Sequence, residues 1–425
     1  MSTSRPWRGA ASGSSAPARR RSSSRTTRPT RSRSLAACRT ASLASAGGRR
    51  SSAARPDAVP SPRYAARMTE SSEVFPRRTR STAAFERRVG TALGAHVAAG
   101  STLLVACSGG PDSTAALVAV ARLHQAAGGR AVAAHFNHGI RDEAEAAADL
   151  AYVEWLAGCL GVPVLAGGEG TAGAGRASEA GAREARYRWL ASAARDAGAV
   201  ACVTGHTLHD QAETVLLRLA RGTGLAGAGG MEPDAPWPVA CEAAGGDAPL
   251  RLLRPLLGIG RVDVAVYLEA LGLTGEERAP RHDTSNDDLA FSRNRVRHRV
   301  MPELEALNHR AAEALARFAG HARRDDAALE AWAGREAAAL MRVEDGAARV
   351  ERRALAELPE AVALRVVRRA AKAAGLSVDA EQAGGVLAIA ARRGARIDLG
   401  GGAAWTDAEA VWFGATGAGG APRRT

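Results

Sequence analysis

The densest chemistry in the chain is Ser108-Gly109-Gly110-Pro111-Asp112-Ser113, set between an apolar stretch and a helix-patterned one. Two glycines let backbone N–H groups close around an anion, and the start of the helix adds partial positive charge. Ser108 and Ser113 can donate to phosphate oxygens, and Asp112 can hold Mg²⁺ against them. A plain strand-to-helix turn is the competing reading, and the strand–loop–helix setting favours phosphate over it. What is missing narrows the chemistry further. The sole lysine is Lys372, and no GxxxxGK[ST] occurs, so a Lys-armed loop for γ-phosphate transfer is excluded. A cradle of amides and hydroxyls around pyrophosphate suits cleavage between the α- and β-phosphates. That is adenylation rather than phosphorylation.

These residues need a frame. Residues 102–107 (TLLVAC), 130–138, 162–165 and 199–206 read as strands, alternating with helical patterns over 114–128, 150–160, 183–198 and 209–222. Strands alternating with helices of ten or more residues predict a parallel sheet covered on both faces. Such sheets bind ligands at the carboxyl ends of their strands, near the switch in strand order. The chemical stretches sit at those ends: after Cys107, at 135–141, and after Thr204. Residues 232–250 read as a Pro/Gly-rich loop and 261–273 as a helix. Helix is also expected over 293–308, with a break at Pro302, and two short strands around a glycine turn over 395–415.

Length and charge bound the rest. The chain has 425 residues, 46% hydrophobic, 24% charged and 4% aromatic. No apolar run approaches the ~18 residues of a membrane-spanning helix. Five scattered cysteines without a CxxC pair exclude a disulfide framework and a zinc ribbon, and imply a reducing compartment. The formal charge of +13 is uneven: residues 1–67 hold 15 Arg and one acid, whereas the remainder sums to −1. The division expected is a Ser/Arg-rich extension unable to bury a core over 1–82, a catalytic domain over 83–302, and a C-terminal domain over 303–425. That last domain is expected to be helical with a short two-strand element and to recognise tRNA. Residues 1–67 admit three readings: an organellar transit peptide, a basic arm for nucleic acid, or sequence upstream of a native start at Met68.

Six blocks in order resemble the N-type ATP pyrophosphatase (PP-loop) superfamily and, within it, the tRNA(Ile)-lysidine synthetase family. They are the SGGPDS loop; His135-Phe136-Asn137-His138-Gly139-Ile140-Arg141; Glu179, Ala182, Arg183, Arg186 and Tyr187; Gly205-His206 through Asp210-Gln211-Ala212-Glu213-Thr214 to Gly224; Arg254-Pro255-Leu256-Leu257 with Asp283-Thr284-Ser285-Asn286; and Arg293-Asn294-Arg295 with Arg297 and Pro302. One position departs: the family shows paired Asp before the Gln, and this chain has His209-Asp210. Imidazole suits softer metals than Mg²⁺, so the role carries over to Asp210 only.

The resemblance implies an α/β parallel sheet of the adenine nucleotide alpha hydrolase kind, with a smaller, mostly helical C-terminal domain. It implies ATP and Mg²⁺ as cosubstrate and metal, and adenylation at C2 of the cytidine opening the CAU anticodon of an isoleucine tRNA. An amine of free L-lysine then displaces AMP. Asp112, Asp210, Arg183 and Arg186 are the catalytic candidates, with Asp112 and Asp210 holding metal. Arg183 and Arg186 share a helix face and could present two guanidiniums to phosphate. Ser108, Gly109, Gly110, Pro111, Asp112, Ser113, His135 and His138 would hold the nucleotide. Asp210 and Glu213 would meet the cationic lysine, and Arg293, Asn294 and Arg297 the RNA. Trp405 and Trp412 read as core packing rather than base stacking. A cytoplasmic location fits, or an organellar one if 1–67 is a transit peptide; no membrane partner is expected. The alternatives are a PP-loop tRNA thiolase, which needs reactive cysteines, and a non-catalytic ATP- and RNA-binding module.

Overall fold

Strand β1 (Thr102–Ala106) shows why an unbroken apolar run becomes the centre of a sheet. Successive residues point to opposite faces, so Leu103 and Val105 join one buried cluster while Leu104 and Ala106 join another. Both faces are dry, so both sets must be apolar. The computed structural model describes residues 75–76, 78–138, 143–168, 179–239, 249–281 and 287–415. The Arg-rich stretch 1–67, Gly139-Ile140-Arg141 and Asp283-Thr284-Ser285-Asn286 lie outside the described residues.

Around β1 the chain lays down α1 (Arg80–Leu93), α2 (Pro111–Ala126), β2 (Arg130–Asn137), α3 (Glu143–Leu160), β3 (Val164–Gly168), α4 (Glu179–Asp196), β4 (Ala201–Thr204), α5 (Leu208–Ala220), the single turn α6 (Leu225–Ala228), β5 (Asp234–Pro236), β6 (Arg251–Leu253) and α7 (Arg261–Ala270). The sheet runs β3-β2-β1-β4-β6-β5, parallel except for β5 at one edge. Leu104 is aligned with Val132 on one side and Cys202 on the other. Residues of α1, α2, α3 and α7 pack on one face, among them Phe85, Leu117, Leu156 and Tyr267. Helix α4 covers the other with Tyr187 and Leu190. The expected doubly covered sheet is therefore present. Strand order turns outward in both directions from β1, so a crevice opens at the carboxyl ends of β1 and β4.

The helical stretch over 293–308 does not break at Pro302. It runs as α8 (Ser292–Arg295), a π-helical turn (Val296–Val300) and α9 (Met301–Leu307), with right-handed dihedrals at both junctions. Proline has no N–H for the carbonyl four residues back. The turn before it widens, and the Met301 N–H bonds the Val296 carbonyl instead.

The C-terminal region departs from expectation in its strands. After the thirty-residue α10 (Ala311–Leu340) come β7 (Met341–Glu344), β8 (Ala347–Glu351), α11 (Arg352–Glu357), α12 (Glu360–Ala373), α13 (Ala380–Ala390), β9 (Arg396–Leu399), β10 (Gly402–Thr406) and β11 (Ala410–Ala415). They form a five-stranded antiparallel sheet in the order β7-β8-β11-β10-β9, not a two-strand element. The unread signal is Asp345-Gly346, where both residues take positive φ (51° and 76°) and close the β7–β8 hairpin. An Asp-Gly pair favours such a turn, but here it follows a long Ala-rich helix whose periodicity hides it. Val350, Val362, Val366, Val411 and Phe413 form a core of their own beneath this sheet. Arg323 of α10 ties back to the first region, donating to the carbonyls of Gly229 and Met231, the latter at 2.8 Å. Among the described residues no helix is long and apolar enough to cross a membrane.

Candidate active site

The loop after β1 is shaped by its glycines and serines. Gly109 takes φ +90°, a region open to glycine without strain. Gly110 caps α2, Pro111 occupies its first turn, and Asp112 follows at the positive end of the helix. Ser113 Oγ donates to the Gly110 carbonyl at 3.0 Å and accepts from the Ser108 N–H at 3.2 Å, which holds the loop closed. The exit of β4 presses on the same point. A Cβ on Gly205 would stand 2.8 Å from the Asp112 carbonyl oxygen.

Between these two strand ends lies a cleft of about 900 Å³. Ser108, Gly110, Pro111, Asp112 and Ser113 line it, as do His135 and His138. Gly109 is buried, and its carbonyl accepts the Arg281 N–H at 2.9 Å, so its part is to turn the chain. His135 is buried with Nδ1 3.0 Å from the Cys107 carbonyl, and the His138 ring meets Phe136 edge-on. The arginine pair on α4 is split. Arg186 lines the cleft, and burial draws its guanidinium below the usual arginine range. Arg183 is exposed, stacks on Tyr187 with its Cζ 4.9 Å from the ring centre, and donates to that hydroxyl at 2.9 Å. The i, i+3 spacing was expected to aim both at phosphate. Arg183 instead stabilises Tyr187, and only Arg186 can serve the cleft.

One wall is an ion cluster. Asp210 sits in the first turn of α5, where its Oδ2 accepts the N–H and hydroxyl of Thr207 at 2.8 and 3.1 Å. Its Oδ1 faces Arg293 at 3.0 Å, Arg297 at 3.3 Å and Arg261 at 3.9 Å. Glu213, one turn on and fully buried, takes Arg261 at 2.8 Å, Arg297 at 2.9 Å and Arg293 at 3.0 Å. Burial opposes ionisation of both carboxyls, but Arg293 for Asp210 and Arg297 for Glu213 lead the groups that hold them low. The cluster is seated by packing of Leu208 and Ala212 against Met301 and Ala312.

This corrects the expected division of labour. Asp210 faces the cleft, whereas Glu213 is sealed behind three guanidiniums and presents no surface to a lysine substrate. Arg293 and Arg297 line the cleft while paired to carboxylates, and Asn294 lines it too, largely buried and donating from Nδ2 to the Asp288 carbonyl at 2.8 Å.

Asp112 is different. Burial, helped by Asp210, pushes its carboxyl up to about 6 against the opposing pull of Arg261 and Arg297. That marks negative charge short of a counter-ion. Beside it, burial drives His206 down to about 3 despite Asp210, and Thr204 Oγ1 lies 2.8 Å from its Nδ1, so its imidazole is neutral. His209, where the family carries Asp, does not line the cleft. Its Nδ1 accepts the Arg261 N–H at 3.4 Å, and Nε2 lies 3.7 Å from Glu305.

The sequence reading missed Arg261, His206 and the Asp149–Arg281 pair (3.5 Å) as cleft residues. Arg261 lies four residues beyond the Arg254-Pro255-Leu256-Leu257 block, just after Gly260, and that nearness to a motif could have flagged it. Among the described residues, no group of three or more His, Cys, Asp and Glu is arranged around a metal. The described thiols are all weakly acidic: burial raises Cys107 and Cys159, and pushes Cys202 up to about 12.

Residues 81–304 match the PP-loop domain family. The tRNA(Ile)-lysidine synthase of Methylobacterium nodulans is 44% identical over 290 residues, covering 67% of this chain and 78% of that protein. That of Thermobifida fusca is 40% identical over 292 residues, covering 68% and 83%. A solved U34-tRNA thiolase, NcsA from Methanococcus maripaludis with its [4Fe-4S] cluster, overlaps at a TM-score of 0.44 and 14% identity, over 57% of this chain and 79% of that one. With this domain match and the two synthases at 44% and 40% identity, the chain belongs to the tRNA(Ile)-lysidine synthase family of PP-loop enzymes.

Proposed function

We propose that this chain joins free lysine to C2 of the first anticodon cytidine in an isoleucine tRNA with a CAU anticodon, through an adenylated base. The observation that carries the reading is the meeting, in one cleft, of a lysine-free phosphate loop with a wall of arginines and Asp210. The triphosphate lies along the Ser108–Ser113 turn, where loop amides, the α2 terminus and Arg186 oppose its charge. The C2 oxygen of the cytidine takes the α-phosphorus, and diphosphate leaves. An amine of lysine, after its ammonium gives a proton to solvent, forms the new bond at C2; AMP leaves with the oxygen, and the nitrogen releases a second proton to solvent. With Glu213 sealed, Asp210 is the carboxylate that meets the cationic lysine, and Arg293 and Arg297 fix its position.

Asp112 fits a Mg²⁺ ion: it lines the cleft in the turn after β1, and burial raises its carboxyl, so a cation there would favour the charged form. When bound, the ion would neutralise diphosphate as it departs; Mg²⁺ is commonly held by one or two carboxylates plus phosphates and water. The thiolase reading is not favoured, since the described cysteines offer no reactive thiolate. The C-terminal region is assigned to tRNA selection, and the cytoplasm to the reaction, as the compartment that supplies tRNA, ATP and lysine.

The test mixes purified protein with ATP, Mg²⁺, radiolabelled lysine and transcripts of isoleucine (CAU) and methionine tRNAs. Label in the first alone, with AMP and diphosphate as products, is expected. ADP and orthophosphate in their place would overturn the mechanism.

A further inference from the structure

The arginines between Ser292 and Val300 point two ways. Arg293 and Arg297 face the cleft, whereas Arg295 and Arg299, with Val296 and Val300, line a separate groove of about 440 Å³ on the outer side of the same wall. The opposite bank is the end of α5, with Leu217, Ala220 and Arg221. Asp210 and Leu217 lie seven residues apart on α5, so about 10 Å separates the reacting cleft from this groove.

Its floor is apolar and its rim is cationic. Val300, 42% exposed, adds to the apolar surface of the floor. Arg221 and Arg299 are exposed, and their side chains make no hydrogen bond or ion pair among the described residues. Arg295 is held by the carbonyls of Leu289 and Ala290 and by Ser292 Oγ. No carboxylate lines the groove. Unopposed guanidiniums around an apolar floor suit single-stranded RNA, whose unstacked bases can cover apolar surface or lie on guanidinium planes while other arginines take the phosphates. The same charge repels the Arg-rich segment 1–67 as an occupant.

We infer that this groove holds the nucleotide adjoining the target cytidine, its base over Leu217, Val296 and Val300 and its phosphates at Arg221 and Arg299. The inference rests on the RNA-adenylating reading above and adds a second RNA subsite to it.

The test uses the full chain with a labelled anticodon stem–loop RNA, read by fluorescence anisotropy over a salt series. The double variant Arg221→Glu/Arg299→Glu should bind at least about tenfold more weakly, with a salt slope smaller by about 1.4, about 0.7 for each of two phosphates. Val300→Asp should weaken binding about fivefold or more, because the base loses apolar cover and a negative charge is added beside the phosphates. Affinity for ATP and thermal melting should stay at wild-type values for both. Wild-type RNA affinity and slope in both variants would overturn the groove while leaving lysine transfer intact. Groove-dependent RNA binding by a protein that transfers no lysine would sustain the groove and sink the reaction instead. A wild-type dimer that Val300→Asp splits, with RNA affinity unchanged, would assign the groove to a second copy and overturn the inference.

Discussion

Arg297 grips the fully buried Glu213 with two nitrogens, Nε at 2.9 Å from Oε1 and Nη2 at 3.2 Å from Oε2. Paired contacts of this kind fix direction as well as distance. The guanidinium is thereby aimed so that Nη2 also reaches Asp210 at 3.3 Å. A buried acid on one helix thus orients the cation that orients the acid facing the cleft.

Glu213→Ala should therefore destabilise the fold by about 1–3 kcal/mol, since it leaves three partly exposed arginines with Asp210 alone as counter-charge. Urea unfolding measures this, and a loss below about 1 kcal/mol would mean that the cluster is not a structural unit. Arg297→Lys keeps the charge but loses the fork. It should lower product formation while moving the unfolding midpoint far less than Glu213→Ala does.

Asp112→Ala should reduce AMP release by about 10²-fold or more, the scale for losing a main electrostatic stabiliser, with circular dichroism unchanged. Full activity in that variant would remove Asp112 from the mechanism.

The carboxyl of Asp112 also sets a pH dependence. Its value rises from 3.8 to about 6 on folding, so the native state holds this proton more tightly than the unfolded chain. This group therefore takes stability away as pH climbs through that window, and the loss is complete above about 6. Asp112→Asn should gain melting temperature over wild type between pH 4 and 6 and hold the gain above it, when measured without metal or nucleotide. A gain that shrinks with rising pH would refute the assignment.

Gly205→Ala places a methyl group 2.8 Å from the Asp112 carbonyl. The strain should cost about 1–3 kcal/mol and displace the phosphate loop, raising KM for ATP more than KM for lysine. An equal fold-increase in both KM values, or none in either, would show that the two strand ends are not in register with the nucleotide.

Much of the catalytic region was legible residue by residue. The apolar run at Thr102–Ala106, the glycines after it and the proline opening α2 are local signals, because backbone dihedrals and alternating burial act over a few neighbours. What the amino-acid order determined by itself was the alternating strands and helices, the phosphate turn, and the exclusion of a lysine-armed loop. Tertiary structure alone decided the partners. Arg293 and Arg297 lie 80 and 84 residues beyond Glu213, and no periodicity marks which arginine of an Arg-rich helix turns inward. Arg183 and Arg186 look equivalent on a helical wheel, yet Tyr187 holds the first outside the cleft. Burial sets these choices: a charge removed from water must find an opposite one, and which is within reach depends on how the sheet and the helices close around it.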